Sequence, residues 1–191
     1  MNSNLAYQDE LRGELINGEV VAMYSSPTFN HNRVASRIYR AFENYLEGKR
    51  CTAIADGTDL YLTQEDRFIP DMMVVCDRDK IRRDGVHGAP DLVVEVLSPS
   101  TARNDRMHKK AVYEASGVRE YWLVDPENRT IEQHFLRDGR LELNTVYTSY
   151  PESELERMTE KERAEVETHF KCSLYDDFAI ALDDIFSGLL P

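Results

Sequence analysis

Residues 90–97 have the sequence Pro90-Asp91-Leu92-Val93-Val94-Glu95-Val96-Leu97, a nearly continuous apolar run with one carboxylate inside it. A run of this length and composition is typical of a central β-strand that is covered on both faces. Side chains alternate along a strand, so Asp91, Val93, Glu95 and Leu97 are expected on one face and Leu92, Val94 and Val96 on the other. The run therefore predicts a buried strand with a glutamate in the middle of one face.

Glu95 needs a partner if this strand is buried, because burying an unpaired carboxylate costs several kcal/mol. One interpretation is an ion pair with an arginine or a lysine, and the other is a metal ligand. A second apolar run, Met72–Cys76, follows Ile69-Pro70-Asp71 in the same way that the first follows Pro90. The two runs therefore indicate two strands of the same central, buried character.

The other elements are read outward from these two strands. Asn17-Gly18 between two apolar segments predicts a β-hairpin, and helical spacing of Val34, Ile38 and Phe42 predicts a helix over 31–47. Further strands are predicted at 51–55, 60–63, 120–124, 130–136 and 141–147, and helices at 102–116 and, acidic and exposed, at 152–171. This order indicates a mixed α/β (α+β) fold, with an N-terminal hairpin and a central sheet flanked by helices, in one domain over 1–191.

Composition and charge exclude several classes of protein. The 191 residues carry a net charge of −12, with the acidic excess in 51–100 and 151–191, which argues against strong non-specific DNA binding but leaves room for a local basic groove. No apolar run approaches the ~20 residues that span a bilayer, and the N-terminus shows no targeting pattern. We expect a cytoplasmic protein with no membrane partner. Cys51, Cys76 and Cys172 lie far apart and are expected to be small buried side chains without a disulfide framework or a zinc ribbon.

The predicted helix over 102–116 has Asp105, Lys109 and Tyr113 at positions i, i+4 and i+8, which lie on one side of a helix. Taken alone, this pattern fits an exposed ion pair with an aromatic residue at the edge of the core. An apolar stripe of Met107, Ala111 and Ala115 adjoins it. The alternative is that the polar side of this helix faces a functional site.

The predicted helix over 31–47 has two features that a binding site would need. His31 lies at its start, where it either faces a ligand or caps the helix. Arg33, Arg37 and Arg40 form a stripe at i, i+4 and i+7. A solvated face explains the stripe, and contact with nucleic-acid phosphates is the alternative.

Together these residues resemble a known pattern. Pro70-Asp71, the run 90–97 followed by Ser98-Pro99, then Asp105, Lys109 and Tyr113, and Glu120-Tyr121-Trp122-Leu123-Val124-Asp125-Pro126 are similar in order and spacing to the Uma family of restriction-endonuclease-like proteins. The hairpin over 14–20, Ser26-Pro27 and His31 fit the same pattern. The resemblance covers about residues 10–150 and implies the fold of the PD-(D/E)XK nuclease superfamily.

Together with the two apolar runs, the resemblance also implies a site, in which Asp71 and Glu95 lie on adjacent strands of the central sheet and face one cleft. Asp71 and Glu95 match the carboxylates that bind a divalent cation, Mg²⁺ or alternatively Mn²⁺, and Leu97 stands where the superfamily has a lysine. Lys109, with Tyr113 four residues later, is the expected replacement. His31, Arg33, Arg37, Arg40 and Tyr113 are the expected substrate-binding residues.

Two functions from different classes follow from this site. The first is a Mg²⁺-dependent DNA endonuclease that uses Asp71, Glu95 and Lys109, with RNA as the alternative substrate. The second, suggested by Leu97 and by the acidic charge, is a binding or scaffold module that keeps the nuclease fold without turnover. A homodimer is one of the oligomeric states left open.

Overall fold

Two six-stranded β-sheets organise the computed structural model, which describes residues 13–22 and 27–190. The predicted absence of a targeting signal at the N-terminus and the family match at Ser26 fall on residues outside these ranges. In chain order the strands are β1 (Gly13–Ile16), β2 (Glu19–Ala22), β3 (Thr52–Ala55), β4 (Leu60–Tyr61), β5 (Arg67–Phe68), β6 (Met72–Val75), β7 (Ile81–Arg82), β8 (Gly85–His87), β9 (Leu92–Val96), β10 (Glu120–Asp125), β11 (Thr130–Arg137), β12 (Arg140–Thr148), β13 (His169–Lys171) and β14 (Ala179–Ala181).

The helices are fewer and mostly short. Helix α1 (Phe29–Leu46) is capped by Thr28, whose hydroxyl accepts the His31 N–H. Helix α2 (residues 102–116) consists of an α-helical turn Ala102–Asn104, a π-helical turn Asp105–Lys109 and an α-helical segment Lys110–Ser116. The short helices α3 (Glu152–Leu155), α4 (Glu160–Ala164) and α5 (Leu182–Phe186) follow. Within the described ranges no helix is both long and apolar enough to cross a membrane.

The central sheet has the order β12-β11-β10-β9-β6-β3 and is mixed. Strands β9 and β10 are parallel, and every other neighbouring pair in this sheet is antiparallel. Two parallel strands need a long crossover connection, and α2 supplies it between β9 and β10. The prediction of a mixed sheet flanked by helices is confirmed, whereas the assignment of residues 1–191 to one domain stays a prediction.

Alternation along β9 divides the core into two layers. Leu92, Val94 and Val96 pack in the layer that contains α1 residues such as Ile38 and Phe42. Val93 and Leu97 pack in the other layer, with residues of α2 and of the second sheet. Glu95 therefore faces the α2 side of the sheet, as its position between Val93 and Leu97 predicts.

The second sheet, called here the hairpin sheet, has the order β2-β1-β5-β4-β8-β7. Its first two strands form the predicted hairpin, whose turn residues Asn17 and Gly18 have φ angles of 51° and 79°. Two residues with positive φ are what a two-residue type I′ turn requires. The turn is attached to the body by the Gly18 N–H, which donates to the Glu65 carbonyl at 2.9 Å.

The predicted acidic helix over 152–171 is wrong as a single helix. The segment is mostly exposed, as expected, but it forms α3, α4 and strand β13. Thr159 starts a new helix through a capping box with Glu162, which breaks the segment in two. At its end, pairing of β13 with β14 turns Phe170 into the core, where its ring lies 5.1 Å from that of Trp122.

The expectation that the cysteines would form no disulfide is corrected by the structure. Cys51 and Cys76 are joined by a disulfide, and Cys172 is free and buried. The two bonded residues are far apart in sequence, but they flank the directly opposed pair Thr52 and Val75 of antiparallel strands β3 and β6. Sequence spacing cannot show a pairing that depends on which strands become neighbours.

Glu120 attaches the C-terminal segment to the central sheet. It is fully buried at the start of β10, and one carboxylate oxygen accepts hydrogen bonds from Trp122 Nε1 at 2.6 Å and Gln133 Nε2 at 2.8 Å. The other oxygen accepts from the backbone N–H and the hydroxyl of Ser173, at 2.7 and 2.6 Å. Burial raises the pKa of Glu120, although these hydrogen bonds oppose the rise.

Replacement of Glu120 by alanine is expected to lower the free energy of unfolding by about 2–4 kcal/mol, because it leaves buried donors without an acceptor. Urea unfolding at pH 7 measures the loss. Glu127→Ala, an exposed glutamate in the turn after β10, is the matched control and should change stability by less than about 0.5 kcal/mol. Equal effects of the two substitutions would contradict the role given to Glu120.

Candidate active site

Asp71 and Glu95 lie opposite each other at one end of the central sheet. Strands β6 and β9 are antiparallel neighbours with Met72 opposite Val94, so continuing the register by one residue pairs Asp71 with Glu95. Asp71 precedes β6, and its Oδ2 accepts the backbone N–H of Val96 at 2.7 Å. The predicted adjacency of the two strands is therefore confirmed, whereas a shared cleft for the two carboxylates stays a prediction.

Glu95 is only 3% exposed, and two α2 side chains satisfy it. Its Oε1 accepts from Lys109 Nζ at 3.0 Å and from the Tyr113 hydroxyl at 2.7 Å. Leu97, two residues later, is buried in the apolar layer on the same side. Lys109 thus points to Glu95 from the helix, while the strand position where a nuclease lysine would stand is part of the core.

Lys109 is the centre of a cluster of charges. Its Nζ lies 2.8 Å from Glu14 Oε1, 3.0 Å from Glu95 Oε1 and 3.4 Å from Asp105 Oδ1, and the residue is 4% exposed. We call Glu14, Glu95, Asp105 and Lys109 the lysine cluster. The interpretation of Asp105 and Lys109 as an exposed surface pair is therefore wrong.

Helix α2 turns its charged side inward. The π-helical turn starts at Asp105 and ends at Lys109, and both residues are buried. The apolar stripe expected beside them faces the other way: Met107 is 68% exposed, and Ala111 and Ala115 are exposed as well. A π-helical turn inside an α-helix occurs frequently at functional sites.

The lysine cluster shifts the pKa values of its members. Burial raises the pKa of Glu95 well above its usual range, and Asp105 and Asp71 add to the rise while Lys109 opposes it. Burial likewise raises the pKa of Asp105. Burial alone would lower the pKa of Lys109, but Glu95, Glu14 and Asp105 outweigh it and raise that pKa well above its usual value. Lys109 therefore stays protonated, and the lysine cluster contains more carboxyl groups than ammonium groups.

His31 lies at the rim of the site, beside Asp71. Its Nε2 is 3.4 Å from Asp71 Oδ1, and its Nδ1 is buried without a hydrogen-bond partner. Burial would lower the pKa of His31, but Asp71 outweighs burial and raises it. Thr28 caps the helix, so His31 does not have that role, and its imidazole faces the Asp71 carboxylate.

The arginine stripe is not brought to this site. Arg37 donates to the carbonyls of Ile185 and Ser187 at the end of α5, at 3.0 and 2.6 Å, and so holds the C-terminal helix instead of facing water. Arg40 is exposed, and Arg33 lies over the Phe29 ring. At 100° per residue the stripe lies on the side of α1 turned away from His31. Its proposed contact with phosphates stays a prediction.

Comparison with known proteins places this arrangement in a family. The profile of the Uma2 family, described as "Putative restriction endonuclease", matches residues 3–166. The chain belongs to the Uma2 family. The resemblance that the sequence motifs indicate is confirmed.

Individual Uma2-like relatives and one solved structure extend the comparison. Two uncharacterized Synechocystis proteins, slr1290 and sll1609, are 28% identical over 151 residues and 27% identical over 132, which is 72% and 67% of this chain and 79% and 73% of theirs. The crystal structure of a "putative nuclease belonging to DUF820" from Anabaena variabilis superposes with a TM-score of 0.64 at 17% identity. It covers 93% of this chain and 91% of its own, and it supports the nuclease fold.

Two members of the site in this Uma2 chain were not expected from the sequence as site residues. The sequence pattern places Glu14 only in the hairpin, and it places Asp105 on the polar side of the helix without a role at the site. Asp105 could have been found from its spacing to Lys109 and Tyr113. Glu14 had no such signal, because nothing in the sequence shows which buried group the hairpin will face.

The divalent cation that the sequence resemblance implies would be held by the carboxylates of Asp71 and Glu95. Both offer the hard oxygen donors that Mg²⁺ prefers, and they are opposite each other in the continued register of β6 and β9, whereas Asp105 Oδ1 already lies 3.4 Å from Lys109 Nζ. Among the described residues no group of three or more His, Cys, Asp or Glu side chains is placed to hold a metal ion. A cation held here would keep water ligands, as Mg²⁺ does when one or two carboxylates bind it.

Replacement of Lys109 by methionine is expected to lower the free energy of unfolding by about 3–5 kcal/mol at neutral pH, because it leaves buried carboxylates without the ammonium group that pairs with them. The loss should be smaller at pH 5 than at pH 8. Glu95 and Asp105 already have raised pKa values, so their protonated forms favour folding at low pH and that contribution is lost as the pH rises through those values.

Urea unfolding of the wild type and the variant at both pH values measures this difference. Lys110→Met is the matched control, because it removes the same charge from the next residue, which lies outside the lysine cluster. A pH-independent loss in Lys109→Met, or an equal loss in both variants, would contradict the electrostatic account.

Proposed function

We propose that this Uma2 protein is a Mg²⁺-dependent endonuclease that hydrolyses phosphodiester bonds in DNA. The observation that supports it most is the placement of three residues: Asp71 is opposite Glu95 in the continued register of β6 and β9, and the Lys109 ammonium lies 3.0 Å from Glu95. Two carboxylates and a lysine are the functional groups of the PD-(D/E)XK site, and here the lysine comes from a helix.

In this proposal Asp71 and Glu95 hold the cation, with Mn²⁺ as an alternative ion. When bound there, it would polarise a phosphoryl oxygen and lower the pKa of a bound water. His31, next to Asp71 at the rim, is the residue best placed to face the substrate. RNA is the alternative substrate. A cytoplasmic location is also proposed, with a homodimer as one oligomeric state.

Lys109 acts in this proposal as a fixed positive charge. Its raised pKa keeps it protonated, so it does not serve as the base that accepts a proton from water. A preorganised ammonium stabilises the extra negative charge that develops on the phosphate during hydrolysis. Tyr113 supports this by donating its hydroxyl hydrogen to the same oxygen of Glu95 that Lys109 contacts, which restrains the carboxylate.

A second candidate is a binding or scaffold module that keeps the fold without turnover. The observation in its favour is that Glu95 Oε1 already accepts from Lys109 and Tyr113 and that Leu97 replaces the strand lysine. In that case the lysine cluster would serve stability alone.

The two candidates are separated by nicking of supercoiled plasmid DNA. With Mg²⁺ the wild type should cut, and a chelator should stop it. Asp71→Asn and Glu95→Gln should each lower kcat/KM at least about 100-fold, because each removes one of few charged oxygens at the reacting phosphate. Asp138→Asn, the same chemical change in the β11–β12 turn, should have no effect.

The same experiment has two outcomes against the proposal. Cutting that survives Glu95→Gln unchanged would show that the activity comes from another site or another protein. No cutting of DNA or RNA with either ion, although calorimetry detects Mg²⁺ binding that Asp71→Asn abolishes, would favour the scaffold module.

A further inference from the structure

The shortest contact of Lys109 is with neither the strand glutamate nor its helix neighbour. Glu14 Oε1 lies 2.8 Å from Lys109 Nζ, against 3.0 Å for Glu95 and 3.4 Å for Asp105. Glu14 belongs to β1 of the N-terminal hairpin and is only 8% exposed. The hairpin therefore reaches into the interior and contacts the Lys109 ammonium of the proposed active site.

Glu14 is also bound to the segment that leads into strand β6. The same oxygen, Oε1, accepts the backbone N–H of Ile69 at 2.9 Å, and Ile69 stands two residues before Asp71. One carboxylate oxygen thus connects the hairpin, the segment that leads to Asp71, and helix α2. A movement of Glu14 would disturb both Lys109 and the approach to Asp71.

The backbone around Glu14 is restrained as well. Leu15 pairs with Arg67 across β1 and β5, and Arg67 Nη2 donates to the Gly13 carbonyl at 2.7 Å. The Asn17 N–H donates to Asp66 Oδ1 at 3.2 Å. These contacts lie on both sides of Glu14, so its carboxylate is presented from a rigid support and not from a loose chain end.

We infer that Glu14 is a positioning residue that holds the Lys109 ammonium independently of Glu95. A lysine anchored by Glu95 alone would lose its only fixed partner whenever that carboxylate takes another ligand. Glu14 has no part in the proposed cation site, so it can keep Lys109 in place throughout a turnover. The catalytic consequence rests on the proposed function, whereas the positioning itself does not.

The test uses the full chain and two readouts. Glu14→Gln keeps the size of the side chain and removes its charge, Glu14→Ala removes the contact, and Glu19→Gln changes an exposed glutamate of the same hairpin as the control. The first readout is the rate at which acetic anhydride labels each lysine, followed by mass spectrometry. Labelling of Lys109 should rise about fivefold or more in both Glu14 variants, because a buried amine reacts only through local opening. Labelling of Lys110 should stay unchanged.

The second readout is steady-state DNA cleavage. Glu14→Gln should lower kcat about tenfold or more with KM within about threefold of wild type, since a charge placed for the transition state acts on rate more than on binding. Thermal unfolding identifies any variant that fails to fold. If Glu14→Ala fails to fold, the conservative variant Glu14→Gln still tests the inference.

The outcomes separate the two proposals. Lys109 labelling at the wild-type rate in folded Glu14→Gln and Glu14→Ala would overturn the positioning role, whether or not the wild type cuts DNA. Increased labelling with no cleavage by the wild type would retain the positioning role and reject the nuclease. Equal changes in Glu14→Gln and Glu19→Gln would show a general effect of hairpin charge and would also overturn the inference.

Discussion

A buried ammonium group surrounded by carboxylates is the interaction on which the site of this protein depends. Lys109 is 4% exposed, and removing such a charge from water is costly unless strong partners replace the solvent. Glu14, Glu95 and Asp105 provide them from the hairpin, the central strand and the helix. Each of these elements must be in place for the charge to be tolerated, so the cluster connects the hairpin sheet to the central sheet.

The division of the central sheet into two layers explains how a charged cluster coexists with a stable core. The α1 side is apolar and is completed by the C-terminal segment that Glu120 and Arg37 attach. Because that side supplies apolar burial, the opposite side can hold Glu95 and Lys109 between aromatic and aliphatic neighbours. The site is thus placed on the α2 face of the sheet, among the buried aromatic and aliphatic side chains of that layer.

The hairpin and the longer strands of the central sheet could be predicted from the sequence, because alternation and turn residues are local signals. No such signal marks the short strands β5, β7 and β8 of the hairpin sheet, and the adjacency of Asp71 and Glu95 needed the family resemblance as well. The inward direction of Lys109 followed from the family resemblance combined with helical spacing. Glu14, the Cys51–Cys76 disulfide and strand β13 were beyond reach for one shared reason. Each depends on which distant segments become neighbours, and a single chain without its topology does not contain that information in any local pattern.

The sequence separation within the lysine cluster has a consequence for how the protein folds. Glu14 and Lys109 lie far apart along the chain, so their contact closes a long loop. Contacts of such high sequence separation form slowly, since a long loop must close before they stabilise anything. A partly assembled cluster would bury charge without full pairing, so its closure is cooperative. Helix α2 therefore cannot bury Lys109 with all of its partners until the hairpin is docked, and the two elements depend on each other for stability.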